Sequence, residues 1–336
     1  MRCILHVGPA KTGTSSIQRF LRANRETMRA CGILVPPTRV ARADEFYIAI
    51  LQKYRPNRIL AGWGIFSQND LEDAQPKIVR QLETWLSEDR CDTVVVSHEG
   101  LGGLSKNELV RLRHIVERSC EAITVVTALR RQDLLLNSVY KNAVRNSGKT
   151  EKGMQKGVGP NHADKLDALS SVFGKGNVHP FLLPDSAPQP GDLISDFLDA
   201  SDLPLDGWAV PERKIANETW DARSLEILRQ VNALLPPLDK GRVRKERICI
   251  ENAILAAFPE KEYAFHIGLE RAKEIISAHE ESNRRVAQQW FGRDQLFSQD
   301  MSIYDSPIKD VEAEDFIKVI VCLAQANVES CGDSNT

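Results

Sequence analysis

The sequence predicts an α/β fold, a parallel sheet flanked by helices with a mostly helical C-terminal half. Three observations predict it. Short apolar runs rich in β-branched residues alternate with amphipathic segments through about the first 185 residues, the rhythm of strand–helix–strand units. The runs are continuous rather than alternating, as strands covered on both faces must be. The first run ends in a turn of small residues that opens a helix, Gly8-Pro9-Ala10-Lys11-Thr12-Gly13-Thr14-Ser15-Ser16.

The elements follow in order. Residues 3–7 form a buried first strand. Ser15 or Ser16 opens a helix with Ile17, Phe20 and Leu21 on one face. Residues 33–35 are a second strand, stopped by Pro36-Pro37. Helical patterns cover 44–54 and 76–86. The β-branched run 93–97 and the run 122–129 are central strands, with a helix at 107–117 between them and another at 133–144 after them. Residues 146–160, rich in Gly and Lys, are a loop or lid, and 177–183 a further strand. Three prolines make 184–191 irregular. Helices are then expected at 193–200, 223–234, 244–257, 268–290 as one long element, and 311–326. The whole reads as a single domain over 1–336. Residues 1–185 form its α/β nucleotide-binding core and 186–330 a helical covering region.

Composition excludes several classes. With 336 residues, 42% of them hydrophobic, a large core needs no metal or disulfide staple. A net charge of −2 gives no basic surface for nucleic acid, so any anion site must be local. Seven cysteines without a Cys-x-x-Cys pair argue against a zinc ribbon or disulfide framework and for a reducing compartment. The apolar run at the N-terminus is too short for a signal peptide, and no uncharged stretch reaches the ~20 residues of a membrane span. A soluble, cytoplasmic protein is expected.

The loop at residues 8–16 lies between a strand and a helix, the setting in which small residues let backbone amides wrap an anion. Lys11 adds a full charge, and Thr12, Thr14 and Ser15 can donate hydroxyl hydrogens. A nucleotide triphosphatase loop has Gly-x-x-x-x-Gly-Lys-Ser/Thr. Gly8 and Gly13 have that spacing, but Thr14 stands where the lysine belongs, and the lysine comes two residues before Gly13. That argues against an ordinary Mg²⁺-ATP site.

From Lys11 onward the loop resembles the 5′-phosphosulfate loop of the sulfotransferase family, Pro-Lys-Ser/Thr-Gly-Thr-Thr/Ser, with Ala10 inserted between the proline and the lysine. The resemblance implies a P-loop-type fold and 3′-phosphoadenosine-5′-phosphosulfate (PAPS) as co-substrate, held by Lys11, Thr12, Gly13, Thr14 and Ser15, with no metal. It also implies an arginine at a strand end and a serine eight residues on for the 3′-phosphate. Arg130 and Ser138 have that spacing, and a fork-shaped cation plus a hydroxyl suits a phosphate. Arg131-Gln132 stands where the family often has Asn-Pro or Asp-Pro. A fainter element, Arg213-Lys214 with Trp220 seven residues after the arginine, echoes the family's closing Arg-Lys-Gly but lacks its glycines. Trp63 is a candidate for stacking on adenine or for ordinary packing.

Sulfonyl transfer needs a base for the acceptor's proton and a cation for the leaving phosphate. Lys11 suits the second role. The strand 93–97 runs into His98-Glu99-Gly100, and both His98 and Glu99 are competent bases. Neighbours in an extended chain point opposite ways, so one of them faces the sulfur. Ser97-x-Glu99-Gly100-Leu101 resembles the bacterial carbohydrate-type branch, which implies Glu99. The expectation is a sulfotransferase acting on a hydroxyl or amine, with a carbohydrate or glycolipid as the candidate acceptor. The rivals are an atypical P-loop small-molecule kinase and a non-catalytic nucleotide-binding protein of the same fold.

Overall fold

The structure is a computed structural model. The residues described are all except 39–41, 88–89, 152–156, 185–189, 211–219, 240–241, 261 and 333–336. In chain order the elements are β1 (Arg2–His6), α1 (Thr14–Ala23), α2 (Arg25–Ala30), β2 (Ile33–Leu34), α3 (Asp44–Ile50), α4 (Arg58–Gly62) and α5 (Gln68–Leu86). Then come β3 (Thr93–Ser97), a 3₁₀ turn at Glu99–Gly103, α6 (Lys106–Glu117), β4 (Ala122–Leu129), α7 (Gln132–Ser147), α8 (His162–Phe173), a second 3₁₀ turn at Lys175–Asn177 and β5 (Val178–Leu182). The rest are α9 (Pro190–Ala200), α10 (Ala222–Leu234), β6 (Leu238–Asp239), β7 (Arg242–Val243), α11 (Lys245–Ala257), α12 (Leu269–Ala278), α13 (Glu280–Phe291) and α14 (Ala313–Gly332).

The chain forms two compact units. The first comprises residues 1–131, 160–213 and 281–297. Its five-stranded sheet has the order β2-β3-β1-β4-β5, and every pairing is parallel. The α/β expectation therefore holds. Leu5 is level with Val96 and Val125, and His6 with Ser97 and Val126. Two cores cover the two faces. Cys3, Leu5, Val7, Val94, Val96 and Val125 pack on one side with residues of α3, α5, α6 and α8. Ile4, Val95 and Val126 pack on the other with Ile17 and Phe20 of α1 and Phe197 of α9. Continuous apolar strands were the signal for this double covering.

Local sequence sets the helix starts. Ser67 caps α5 by accepting from the Asp70 amide at 3.1 Å, and the helix begins at Gln68, eight residues before Pro76, where the sequence pattern begins it. Ser105 and Glu108 form a reciprocal capping box on α6. α8 has no counterpart in the sequence reading. Asn161 caps it, and Leu166, Leu169, Val172 and Phe173 are buried in the core, about 1.5–3 kcal/mol for each large side chain.

The second unit comprises residues 132–159, 214–280 and 298–336. Its described elements are helices apart from the β6–β7 hairpin. Tyr140 and Val144 of α7, Leu225 and Leu228 of α10, and Ala253 and Ile254 of α11 make its core with Trp220 and Phe258. Arg223 crosses it, 3.0 Å from Asp221, 3.3 Å from Glu262 and 3.8 Å from Asp315, over the rings of Phe258 and Tyr263. The long helix expected over 268–290 is two helices. The break falls at His279, whose Nε2 lies 2.9 Å from the Val158 carbonyl and whose backbone leaves the helical region. The loop expected from residue 146 begins after Ser147, where α7 ends.

Candidate functional site

The strand order fixes where a ligand can go. The chain leaves β1 for one side of the sheet and, after β3, crosses β1 to reach β4. In open parallel sheets such a reversal opens a crevice beyond the carboxyl ends of the strands. The segments that leave β3, β1 and β4 here carry Glu99, Lys11 and Arg130.

The loop after β1 is built from its own small residues. Gly13 caps α1 in the left-handed region, with φ of 81°, and a Cβ there would lie 2.5 Å from Leu193 Cδ2. Only glycine fits. Lys11 also has positive φ, 70°, a conformation that costs a non-glycine residue on the order of 1 kcal/mol. Arg130 Nη1 donates to the Lys11 carbonyl at 2.8 Å and ties the loop to the end of β4. Thr12 is buried and its hydroxyl donates to the Pro9 carbonyl at 2.7 Å; Thr14 Oγ1 lies 3.4 Å from the same oxygen. These two hydroxyls brace the loop, whereas Ser15 is exposed. The Ser16 and Ile17 amides bond to the Gly13 carbonyl, so the amides of Thr14 and Ser15 precede the first intrahelical bond.

Beyond β3 the turn Glu99–Gly103 packs against this loop. A Cβ on Gly102 would stand 2.8 Å from the Gly8 carbonyl oxygen. His98 and Glu99 have opposite surroundings. His98 is fully buried, and the Gly100 amide donates to its Nδ1 at 2.9 Å. That nitrogen therefore carries no proton, and Nε2–H donates to Asp44 Oδ1 at 3.0 Å. The ring of Tyr47 stacks on His98 at 4.9 Å. Glu99 keeps 34% of its side chain exposed, with Arg42 Nη1 at 3.9 Å. Arg42 also holds Asp44 at 3.0 Å. Burial opposes ionisation of Asp44, but the His98 hydrogen bond and the Arg42 charge hold its pKa below the usual carboxylate range.

Sequence reasoning missed Arg42 and Asp44, and also Lys165 on α8. Lys165 Nζ donates to Thr127 Oγ1 at 2.7 Å and lies 3.4 Å from the Val7 carbonyl, directly before the loop. Ser138 lies on α7 in the second unit and is partly exposed. Trp220 is buried in that unit's core, with Arg145 4.9 Å over its ring. Trp63 packs half-buried against the core of the first unit. Arg213 and Lys214 lie outside the described residues. Among the described residues no cluster of His, Cys, Asp and Glu could hold a metal ion, and no helix is long and apolar enough to cross a membrane.

No family model matches the chain. A curated protein of Archaeoglobus fulgidus, described as an uncharacterized protein, is 28% identical over 212 residues. The match takes in 61% of this chain and 55% of that protein, so the chain spans about half the length of the curated relative it matches. Among solved structures, a sulfotransferase from Alicyclobacillus acidocaldarius aligns over 70% of this chain and 96% of its own, with 16% identity and a TM-score of 0.42.

Proposed function

We propose that this chain is a sulfotransferase that moves the sulfonate group of PAPS to a hydroxyl or amine. The observation that carries the reading is the convergence of the Lys11 loop, Glu99 and Arg130 at the ends of three adjacent strands, with Arg130 bonded to the loop backbone. The Lys-Thr-Gly-Thr-Ser sequence supports it.

In this reading the Thr14 and Ser15 amides and Lys11 hold the 5′-phosphosulfate. Arg130 takes the 3′-phosphate. The acceptor oxygen attacks sulfur in line as Glu99 accepts its proton. An oxygen–sulfur bond forms, the sulfur–oxygen bond to the phosphate breaks, and the electron pair stays on the phosphate oxygen. Lys11 stabilises that developing charge. Glu99, partly exposed, suits the base. His98, closed by Asp44 and the Gly100 amide, suits the scaffold that aims it. The acceptor class we favour is a carbohydrate or glycolipid.

The test is transfer of radiolabelled sulfonate from PAPS to a panel of sugars, glycolipids, amines and phenols. Turnover of a sugar hydroxyl that Glu99→Gln removes is the expected result. Turnover of phenols alone would refute the acceptor class, and the absence of any transfer would refute the activity.

A further inference from the structure

Lys165 is drawn in from solvent with no carboxylate to meet it among the described residues. Its Nζ reaches across from α8 to Thr127 Oγ1 and the Val7 carbonyl, and Thr127 Oγ1 itself donates to that carbonyl at 3.1 Å. Both contacts are neutral oxygens at the carboxyl ends of β4 and β1. The next residue along the chain is Gly8, the first of the loop.

The charged groups around Lys165 are otherwise engaged or turned away. On α8, Asp164 is exposed, and Asp167 pairs with Arg285 of α13 at 2.6 Å. On α6, Glu117 pairs with Arg113, and Glu108 with Arg55. Arg130 follows β4, His179 on β5 is exposed, and Lys175 lies against the Trp290 ring. His6 of β1 faces the opposite side of the sheet, with Nδ1 2.8 Å from Ser97 Oγ. Burial first, and then the Lys165 charge, push its pKa down to about 3, so it is not the proton acceptor near neutral pH.

We propose that Lys165 is a second cation of the anion site, which takes up a proton when a phosphate or sulfate group binds in the loop after β1. Burial lowers its pKa to about 7 in the empty site. A dianion beside it opposes that effect and favours the ammonium. Lys165 is partly exposed as a residue, and its amine lies 3.4 Å from the Val7 carbonyl, one residue before the loop. The inference rests on the anion-binding part of the proposed function and not on sulfonate transfer.

Two experiments test it. The first is calorimetry with 3′,5′-adenosine bisphosphate at pH 8, in buffers of different ionisation enthalpy, on wild type, Lys165→Met and Lys165→Arg. Wild type should take up close to one proton on binding. Both variants should take up none, because methionine has no proton to gain and arginine is already charged. The methionine variant should bind about tenfold more weakly. The second experiment is amine labelling of wild type at pH 7.5, read by mass spectrometry, in sodium sulfate and in sodium chloride of equal ionic strength. Lys165 should label as fast as exposed lysines despite its burial, and sulfate should slow it.

Binding of the bisphosphate without proton uptake, together with labelling that sulfate does not change, would overturn the inference and leave the nucleotide reading standing. Sulfate protection of Lys165 without bisphosphate binding would support the inference and overturn the nucleotide reading. If wild type shows neither, both fail.

Discussion

Two partly buried cations, one in each unit, show what a matched charge looks like beside an unmatched one. Arg223 of the second unit faces Asp221, Glu262 and Asp315 and lies over two rings. The hydrogen bond to Asp221 raises its pKa, and although burial opposes ionisation of Asp221, the Arg223 bond holds that carboxyl low. Lys165 of the first unit faces a hydroxyl and a carbonyl, and burial alone lowers its pKa to about 7. A cation enclosed with carboxylates is finished as structure. One enclosed with neutral dipoles beside the loop after β1 lacks a counter-charge among the described residues, and in the proposed reading a bound anion supplies it. The same contrast separates the neighbours His98 and Glu99: every polar atom of the first ring is engaged, while the second carboxylate stays open.

That comparison can be broken in several places. The largest expected effect is on turnover. Lys11→Ala should lower kcat by about 10²–10³-fold with the fold intact, since the lysine is partly exposed and in the proposed mechanism acts on the leaving charge. Glu99→Gln should lower turnover comparably and leave the melting temperature unchanged. His98→Ala should do the reverse in emphasis, costing about 1–3 kcal/mol of stability by stripping partners from the buried Asp44 carboxylate and the Gly100 amide. Equal stability of the two variants would contradict the assignment of roles.

Arg223→Ala should cost about 3–5 kcal/mol in denaturant unfolding, because it leaves the Asp221 carboxylate buried without its cation. In the proposed reading, binding of 3′,5′-adenosine bisphosphate should survive this change while the protein is folded. Arg130→Ala should weaken binding of 3′,5′-adenosine bisphosphate by about 2–3 kcal/mol, the loss of a charge-assisted contact. Unchanged affinity would remove Arg130 from the site.

Further effects are in pH dependence. The folded pKa of His6, about 3, lies below the ordinary 6.5, so the unfolded chain binds the extra proton between these values and stability falls as pH falls through that window. Asp44, with a lowered folded pKa, contributes stability that is lost further into acid. For Lys165 the folded pKa of about 7 lies below the ordinary 10.5, so its burial costs stability at neutral pH, and the cost fades as pH rises toward 10.5. Lys165→Met should therefore melt higher than wild type at pH 7, with the difference shrinking at high pH. A constant difference across pH would contradict the titration.

The sequence carried much of this and missed identifiable parts. All five sheet strands were legible, because strands covered on both faces need unbroken apolar runs. The placement of the loop, Arg130 and Glu99 at strand ends was legible because they sit directly after such runs. α8 was missed although its signals were present: the cap residue Asn161, Asp164 in the first turn, and Leu166, Leu169, Val172 and Phe173 at helical spacing. Its neighbourhood of glycine and lysine drew attention to a loop instead. The break at His279 was not legible, because the apolar periodicity runs through it and the contact that marks it, with the Val158 carbonyl, is distant in sequence. Arg42, Asp44 and Lys165 could not be found from local pattern, since each matters through a strand end far along the chain. The roles of Thr12 and Thr14 depend on hydroxyl direction, which spacing does not reveal.

The most direct test is metal-free calorimetry of the purified protein with 3′,5′-adenosine bisphosphate, beside AMP and Mg²⁺-ATP. The account predicts that the bisphosphate binds well above AMP and Mg²⁺-ATP, and that Lys11→Ala and Arg130→Ala each weaken it. Preference for Mg²⁺-ATP, or equal binding of AMP and the bisphosphate, would contradict it.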